Sequence, residues 1–559
     1  MHTPETQPRT SVFYTYKIYP FRRPEELVGG AARAPVVIVG AGPVGLLTAI
    51  DLARYGVRSV VLEAEQQVSH GSRAIVLTRR SMEILQHAGV AEPFVRKGLQ
   101  WSKGRSFFRG KEVYQMVMPH DSNDRFLPGL NISQQYIEEY LVDAAERTGL
   151  VDLRWGSKVT DIHQNADAAL LSIDTPEGEY ALTADYVVAA DGGRSTVRRL
   201  LGLRMEGRAY AGNFVIADIK ANIDLPTERL CFFDPDWNPG NNVLVHRQPD
   251  DIWRLDFRLP DGETAEEALE RSRLAARIDL ILAMIGRKVP WELDWATVYS
   301  ASTLTLPDYV SGRVAFVGDA AHLLPIFGVR GANTGFQDAG NLSWKLALVA
   351  KGLAPPRLLE SYSQERVTAA REICDEAAKS TRFMSPPTPG YRLMRDAVLS
   401  LSLSQDFCRN LLHWRTSRPH VYAHSALNSP SADAFITGPA PGEPALNARI
   451  AEGDHLQDHF GPGFQLLCFP ATPADVAPLA AAMHASGLPV TVLALGRGAA
   501  EGADVVLPDP DGVVAARYGA APGTAYLLRP DLHVCARWRA PTPEGVTAAL
   551  TTAIAGERP

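Results

Sequence analysis

Residues 35–63 read PVVIVGAGPVGLLTAIDLARYGVRSVVLE, and the fold class turns on this stretch. Pro35–Val39 is a short β-branched run of the kind that forms a buried strand. Gly40-Ala41-Gly42-Pro43-Val44-Gly45 follows as G-x-G-x-x-G, then a helical stretch, Leu46–Tyr55, and a second strand, Val57–Glu63. Strand, glycine turn, helix and strand make a β-α-β unit, so a parallel sheet is expected. Gly40 makes the bend, Gly42 lets a pyrophosphate approach the backbone, and Gly45 lets helix pack on strand. The helix start offers amides and a positive dipole end to phosphates. Glu63 is positioned to accept hydrogen bonds from an adenosine ribose. The glycines alone also fit a tight structural turn, with Glu63 a solvated strand end; strand, helix and acid together point to dinucleotide binding.

Composition narrows the rest. The chain has 559 residues, and 56 basic against 63 acidic side chains give a net charge of −7. At roughly 100–200 residues per domain this is two to four domains. The mild acidic excess argues against a mainly electrostatic nucleic-acid binder. No apolar run of about 18 residues predicts a membrane span. The N-terminus, MHTPETQPRTSVFYTYKIYPFRR, lacks the apolar core of a secretion signal. Cys231, Cys374, Cys408, Cys468 and Cys535 are odd in number and widely spaced, with no C-x-x-C, so neither a metal site nor a dithiol pair is expected. They read as reduced thiols of a cytoplasmic protein.

Along the chain, residues 1–34 form an extension and 101–128 look irregular. A helix is expected near 135–148, antiparallel strands over 159–182 with a turn at 176–178, and a separate buried strand, Tyr186–Ala190. Residues 203–300 are strand-like and aromatic, with a helical insert at 264–286. Val314–Val317 is another strand, followed by helix to about residue 415. A Pro- and Ala-rich linker precedes a small α/β tail, with strands at Phe464–Phe469, Val490–Leu495 and Tyr526–Arg529 and a helix at Ala474–Ser486.

Two further motifs say which dinucleotide. One is Asp191-Gly192-Gly193-Arg194-Ser195-Thr196-Val197-Arg198. The other runs Gly318-Asp319-Ala320-Ala321-His322, Pro325, Gly328 and Arg330-Gly331-Ala332-Asn333-Thr334-Gly335. With the first motif, these resemble the three fingerprints of single-component FAD-dependent aromatic hydroxylases, the group containing p-hydroxybenzoate and phenol hydroxylases. The similarity covers about residues 35–370, with Ser361–Arg366 matching the family's final helix. It implies an α/β chain (α+β overall): a Rossmann-like FAD-binding domain of 35–100, 130–202 and 301–370, interleaved with an antiparallel substrate sheet of 101–129 and 203–300. A helical region at 371–425, a linker at 426–445 and a tail at 446–559 follow. The tail, with Ala525–Asp531, resembles a thioredoxin-like domain; lacking C-x-x-C it is expected to be redox-silent and to serve packing or oligomerisation, a homodimer among the options.

The resemblance also implies the cofactor contacts. FAD would be held by Gly40, Gly42, Pro43, Gly45, Glu63, Arg73, Gln134, Asp191, Gly192, Gly318, Asp319, Pro325, Arg330, Gly331, Ala332 and Asn333. Asp319 would accept from a ribityl hydroxyl, and the amides of Gly331-Ala332-Asn333 would face the flavin pyrimidine and stabilise negative charge there. NADPH or NADH would dock transiently, and a flavin C4a-hydroperoxide would hydroxylate a phenolic or other electron-rich ring. His322 belongs to the flavin motif and is expected to be structural. Val329-Arg330-Gly331 departs from the family's common Gly-Gln-Gly; Arg330 reads either as a cation near the flavin or as a paired surface charge.

For substrate, Tyr210, Phe232, Trp237, His246, Arg247, Trp253 and Phe257 are available, although alternating aromatics on a sheet more often form core. Tyr210 or His246 is the candidate for phenol contact and Arg247 for a carboxylate. Two alternatives stay open: a hydroxylase or epoxidase of a larger polycyclic or polyketide substrate, and a non-enzymatic binding protein on the same fold. Retention of Glu63, Asp191 and Asp319 weighs against the second.

Overall fold

The computed structural model describes the chain apart from residues 31, 261, 326–327, 410, 412–418, 432, 497–499 and 556–559 and the side chains of 210–212 and 301. In it, β1 (Arg33–Val39) is buried from Val36 to Val39 because its sheet is covered on both faces. Gly42 caps α1 (Pro43–Arg54), which returns to β2 (Ser59–Leu62). β1 and β2 pair in parallel, Val36 opposite Ser59 and Val39 opposite Leu62. α2 (Gln134–Arg147) leads into β3 (Val151–Arg154), parallel to β2 on its far side.

The next segment differs from expectation. β4 (Lys158–Gln164) and β5 (Ala169–Thr175) are antiparallel, but β6 (Gly178–Ala189) is one continuous strand rather than two. Its first half pairs antiparallel with β5 and its second half parallel with β1. One strand thus joins a hairpin to the central sheet, which ends by delivering Asp191 beside the glycine loop.

The second sheet carries β7 (Glu206–Lys220), β8 (Arg229–Phe233), β9 (Asn242–Arg247), β10 (Ile252–Arg258) and, after helix α3 (Arg271–Met284), β11 (Glu292–Thr305). Its strand order is β11-β7-β10-β9-β8, extended by Lys103–Phe108 and Lys111–Val117. The expectation of irregular structure over 101–128 is therefore corrected. Phe108 pairs with Lys111 across a two-residue turn, Arg109-Gly110, with φ of 48° and 77°. Both values suit a tight hairpin, which Asn or Asp more often announces at the first position. One face of this sheet is apolar: Val215, Ala217, Val243, Val245, Trp253, Leu255 and Phe257 pack under Leu274, Ile278 and Ile281 of α3. Phe232 and Trp237 join them, so four of the proposed pocket aromatics are core.

β12 (Val314–Phe316) returns to the first sheet, parallel to β6. α4 (Gly331–Ala350) and α5 (Leu358–Met384) complete this half. Among the described residues the tail's larger sheet has five strands, with Phe464–Phe469 between Val490–Leu495 (parallel) and Thr524–Leu528 (antiparallel). The segment expected to be a linker is tied down at both ends: Ser429 N–H donates to Cys535 O at 2.8 Å and Gly442 N–H to Val534 O at 2.7 Å. No helix among the described residues is long and apolar enough to cross a membrane.

Candidate functional site

The three motifs converge at the start of α1. Gly40 has φ of 105°, and a Cβ there would lie 2.6 Å from Ala190 O. A Cβ on Gly45 would lie 2.1 Å from Gly40 O, so close packing requires glycine. Gly42 is different: nothing lies within 4 Å of its missing Cβ, and no side chain caps the helix it begins. The loop therefore presents free amides to open space. Glu63 lies beneath it, accepting from Ala41 N–H at 2.8 Å and Glu65 N–H at 3.0 Å. Burial raises its pKa, and those two amides pull it back.

Asp191 accepts from Thr196 N–H at 2.6 Å and Val197 N–H at 3.1 Å through Oδ2, while Oδ1 is buried with no partner. Gly192 continues in the left-handed region at φ of 74°. Arg198 donates to Gly193 O at 2.7 Å and Ala320 O at 2.9 Å, stitching the second motif to the third.

In the third motif Gly318 lies against Val44 with φ of 58°, and its N–H donates to Asp338 Oδ2 at 3.0 Å. Asp319 is left exposed in the cleft; the surrounding protein raises its pKa, opposed by His322 and then Arg73. His322 is fully buried and donates to Asp338 at 2.7 Å, while Arg366 holds the other oxygen at 2.7 Å. Burial alone would raise Asp338, but Arg366 and His322 outweigh it and hold the carboxyl below its ordinary range. Histidine and aspartate thus form a structural post under the Gly318 turn.

Pro325 is buried on the way to α4. Val329, a β-branched residue at φ of 53°, makes the strained entry to that helix. The amides of Gly331, Ala332 and Asn333 are its unpaired N-terminal donors. The side chain of Asn333 is spent elsewhere: it accepts from Thr78 N–H at 2.8 Å and Ser81 Oγ at 2.6 Å, and donates to the carbonyls of Val76 and Val329. Only its backbone remains for a ligand. Arg330 is buried, not a surface charge, and its guanidinium reaches Ile373 O on α5 at 3.5 Å.

Arg73 stands exposed on a loop that both halves of the molecule hold. Gln134 Oε1 accepts from the N–H groups of Arg73 (3.1 Å) and Ala74 (3.2 Å), and its amide nitrogen donates to Glu138. From the second sheet, Arg254 donates to Ser72 O, and Trp295 covers Gly71. An orphaned Asp191 oxygen, an open glycine cradle and free α4 amides fit a flavin dinucleotide.

The second sheet turns its polar face toward this cradle. Arg229, His246, Arg254, Asp218 and Trp295 lie opposite one another across five strands. The next row is Cys231, Leu244, Asp256, Ile216 and Thr297. In the row beyond, Tyr299 OH donates to Leu324 O at 3.0 Å. His246 is buried with Nδ1 unpartnered, and burial, then Arg229 and Arg254, hold its pKa well below 6.5, so it is neutral. Arg247 corrects the expectation made for it. Adjacent residues of a strand point to opposite faces, and Arg247 lies on the outer side, donating to Leu225 O at 2.9 Å over the Trp253 ring. The side chain of Tyr210 lies outside the described residues. Asp218, Arg229, Arg254 and Asp256 escaped the sequence reading, although Ile-Trp-Arg-Leu-Asp-Phe-Arg (252–258) carries charges at a period of two in a fully buried strand.

The family described as FAD binding domain matches residues 33–377. The 3-(3-hydroxy-phenyl)propionate/3-hydroxycinnamic acid hydroxylase of Burkholderia cenocepacia (strain HI2424) is 30% identical over 540 residues, covering 94% of this chain and 98% of that one. The like-named enzyme of Mycolicibacterium smegmatis (strain ATCC 700084 / mc(2)155) is 28% identical over 508 residues, 89% of each. Aklavinone-11 hydroxylase, solved with FAD and aklavinone, superposes with a TM-score of 0.75 at 26% identity, over 94% of this chain and 99% of that one. The flavin-dependent monooxygenase PieE has the same fold, with a TM-score of 0.79 at 23% identity over 93% and 99%. Three motifs meeting in one flavin-shaped cradle, under a sheet that presents a buried polar face, account for these likenesses: the chain belongs to the FAD-dependent aromatic hydroxylases, the aromatic-ring monooxygenases built on this FAD-binding domain.

Proposed function

We propose that the enzyme hydroxylates a single phenolic ring carrying an acidic side chain, the substrate class named for its Burkholderia and Mycolicibacterium relatives. The observation that supports this reading is the inner sheet face, where the guanidinium groups of Arg229 and Arg254 are buried in one cross-strand row with His246 and Asp218. Guanidinium groups lining a cleft offer charge-assisted donors to an anionic ligand. FAD, when bound, supplies the oxygen-activating two-electron chemistry, with NADPH or NADH as reductant. The protein's own residues bind, orient and dry the site. Gly42 and the α4 amides hold phosphate and ring, Asp191 and Asp319 accept hydroxyl hydrogen bonds, and the sheet's inner face positions the phenol.

The likeness to aklavinone-11 hydroxylase favours a second reading, a polycyclic polyketide-like substrate. Substrate-stimulated NAD(P)H oxidation across hydroxyphenyl acids, neutral phenols and polycyclic phenols, with product identification, decides. Coupled hydroxylation of a hydroxyphenyl acid is expected; hydroxylation of polycyclic phenols alone would overturn the first reading for the second.

The same proposal covers coarser features. The tail is thioredoxin-like, as three strands paired in parallel and continued on one edge by two antiparallel ones suggest. A homodimer is supported by Leu393 and Met394 on the Pro389–Leu401 helix and Phe407 just beyond it, which are 73%, 52% and 66% exposed. Five cysteines free of disulfides suit the reducing cytoplasm. The division into flavin and substrate domains at the boundaries given above belongs with it.

A further inference from the structure

Asp256 is the anomaly of the inner face. It is 6% exposed, yet no described residue donates a hydrogen bond to it or pairs with it within salt-bridge distance. Buried carboxylates are ordinarily satisfied, so an orphan asks for a ligand. Its neighbours do not fill the need. Arg254, two residues away on the same strand, is committed to Asp218 at 2.8 and 2.6 Å and to Ser72 O. Arg258 donates to Asn241 at 2.8 Å. Nor are its oxygens sealed: neither is a fully buried atom without a partner, so each keeps some accessible surface.

Its position follows from register. The row of Arg254 and Trp295 meets one rim of the cradle at Gly71 and Ser72. The row of Phe214 and Tyr299 meets the other rim at Leu324. Asp256, with Ile216 and Thr297, occupies the row between. The carboxylate thus hangs between the two rims, beside the orphaned Nδ1 of His246 on the neighbouring strand.

We propose that Asp256 receives the phenol's hydrogen bond and, as the ring is hydroxylated, its proton. The inference rests on the proposed phenol hydroxylation and gives that reaction its base. In the step, the phenol O–H bond breaks, its electron pair stays on the phenolate oxygen, and the proton forms a new O–H bond on an Asp256 oxygen. No electrons are consumed. Proton removal raises the electron density of the ring, which makes it a better nucleophile.

The charged and titratable groups that share its face of the sheet are Arg254 and Arg258 on its own strand, Asp218 on β7, Arg229 and Cys231 on β8, His246 on β9 and Tyr299 on β11. Burial, opposed mainly by Arg254, brings the Asp256 carboxyl up to about 7. The Cys231 thiol is pushed up to about 12, and Tyr299 is raised above its ordinary 10. Asp256 is thus poised at the pH where a general base works best.

The test uses FAD-loaded enzyme and its Asp256→Asn and Asp256→Glu variants with a hydroxyphenyl acid. Phenolate absorption of the ligand bound to oxidised enzyme is read from about pH 6 to 9, without turnover, and single-turnover hydroxylation is read over the same range. The wild type is expected to show an ionisation step and a rate limb near pH 7. In Asp256→Asn, FAD content and reduction by NAD(P)H should persist, while both signatures vanish and hydroxylation falls by roughly 10²–10⁴-fold. Ring-fluorinated phenols that ionise unaided should restore much of that loss, and Asp256→Glu should keep the limb. A limb unchanged in Asp256→Asn, or an equal deficit for pre-ionised phenols, would overturn the proposal. So would a wild type without any ionisation step, which needs no variant. If the wild type hydroxylates no phenol at all, the functional reading falls first and the role of Asp256 with it.

Discussion

Replacing Arg529 by methionine should detach the tail from the flavin half. Arg529 follows the Thr524–Leu528 strand and is wholly buried, donating to Glu365 of α5 at 2.5 and 3.0 Å and to Asp531. Lys345 and Asn341 of α4 reach the same Glu365 at 2.7 and 2.8 Å, and Asn341 also reaches Asp531 at 2.9 Å. Two cations and two carboxylates balance. Burial alone would push Glu365 and Asp531 up, yet Arg529 above all holds both far below the carboxylate range. Without it the cluster carries one uncompensated buried negative charge, a loss of about 3–5 kcal/mol. At about 1.4 kcal/mol per factor of ten, amides of 524–538 should exchange roughly 10²–10³·⁵ times faster, and protease should cut within 426–445. Adding Glu365→Gln should recover part of the loss, because it removes the stranded charge. Acceleration below about tenfold in Arg529→Met, or a strictly additive double variant, would refute this account of how the tail is held.

Other outcomes are equally open to measurement. Asp256 has its pKa raised in the fold from 3.8 to about 7, so unfolded chains ionise first, and stability attributable to this group is lost as pH rises from about 4 to 7. Asp256→Asn should therefore gain stability over the wild type across that window, by up to about 4 kcal/mol above pH 7; an offset in urea midpoints that ignores pH would refute this. Gly45→Ala puts a Cβ 2.1 Å from Gly40 O, and flavin-fluorescence titration should show FAD affinity reduced by at least about 100-fold. Asn333→Ala strands the Thr78 amide and the Ser81 hydroxyl, costing about 2–3 kcal/mol in apoprotein unfolding. Arg247→Ala should leave coupled hydroxylation within about twofold of wild type, since its side chain lies on the outer face; a large drop in coupling would reverse that placement.

The sequence by itself determined the flavin cradle. A strand running straight into a turn and a helix start are local backbone requirements, announced by the positive-φ Gly40 and Gly318 and by the close-packed Gly45. His322, expected to be structural as part of the third motif, is fully buried against Asp338. Tertiary structure decided what depends on distant partners. Alternation in β9 says that His246 and Arg247 part company, but only the packing of α3 on one side and the cradle on the other says which faces the ligand. The charges of Arg254 and Asp256 acquire meaning only when the strand proves to be buried. Asn333 was expected to offer a backbone amide to the cofactor; that Thr78 and Ser81, more than 250 residues away, hold its side chain is visible only in the fold. The tail's Arg529 gains its role from Glu365, 164 residues earlier. Local propensity is written in neighbouring residues; the burial of a charge, and hence its chemistry, is set by whatever the fold brings against it.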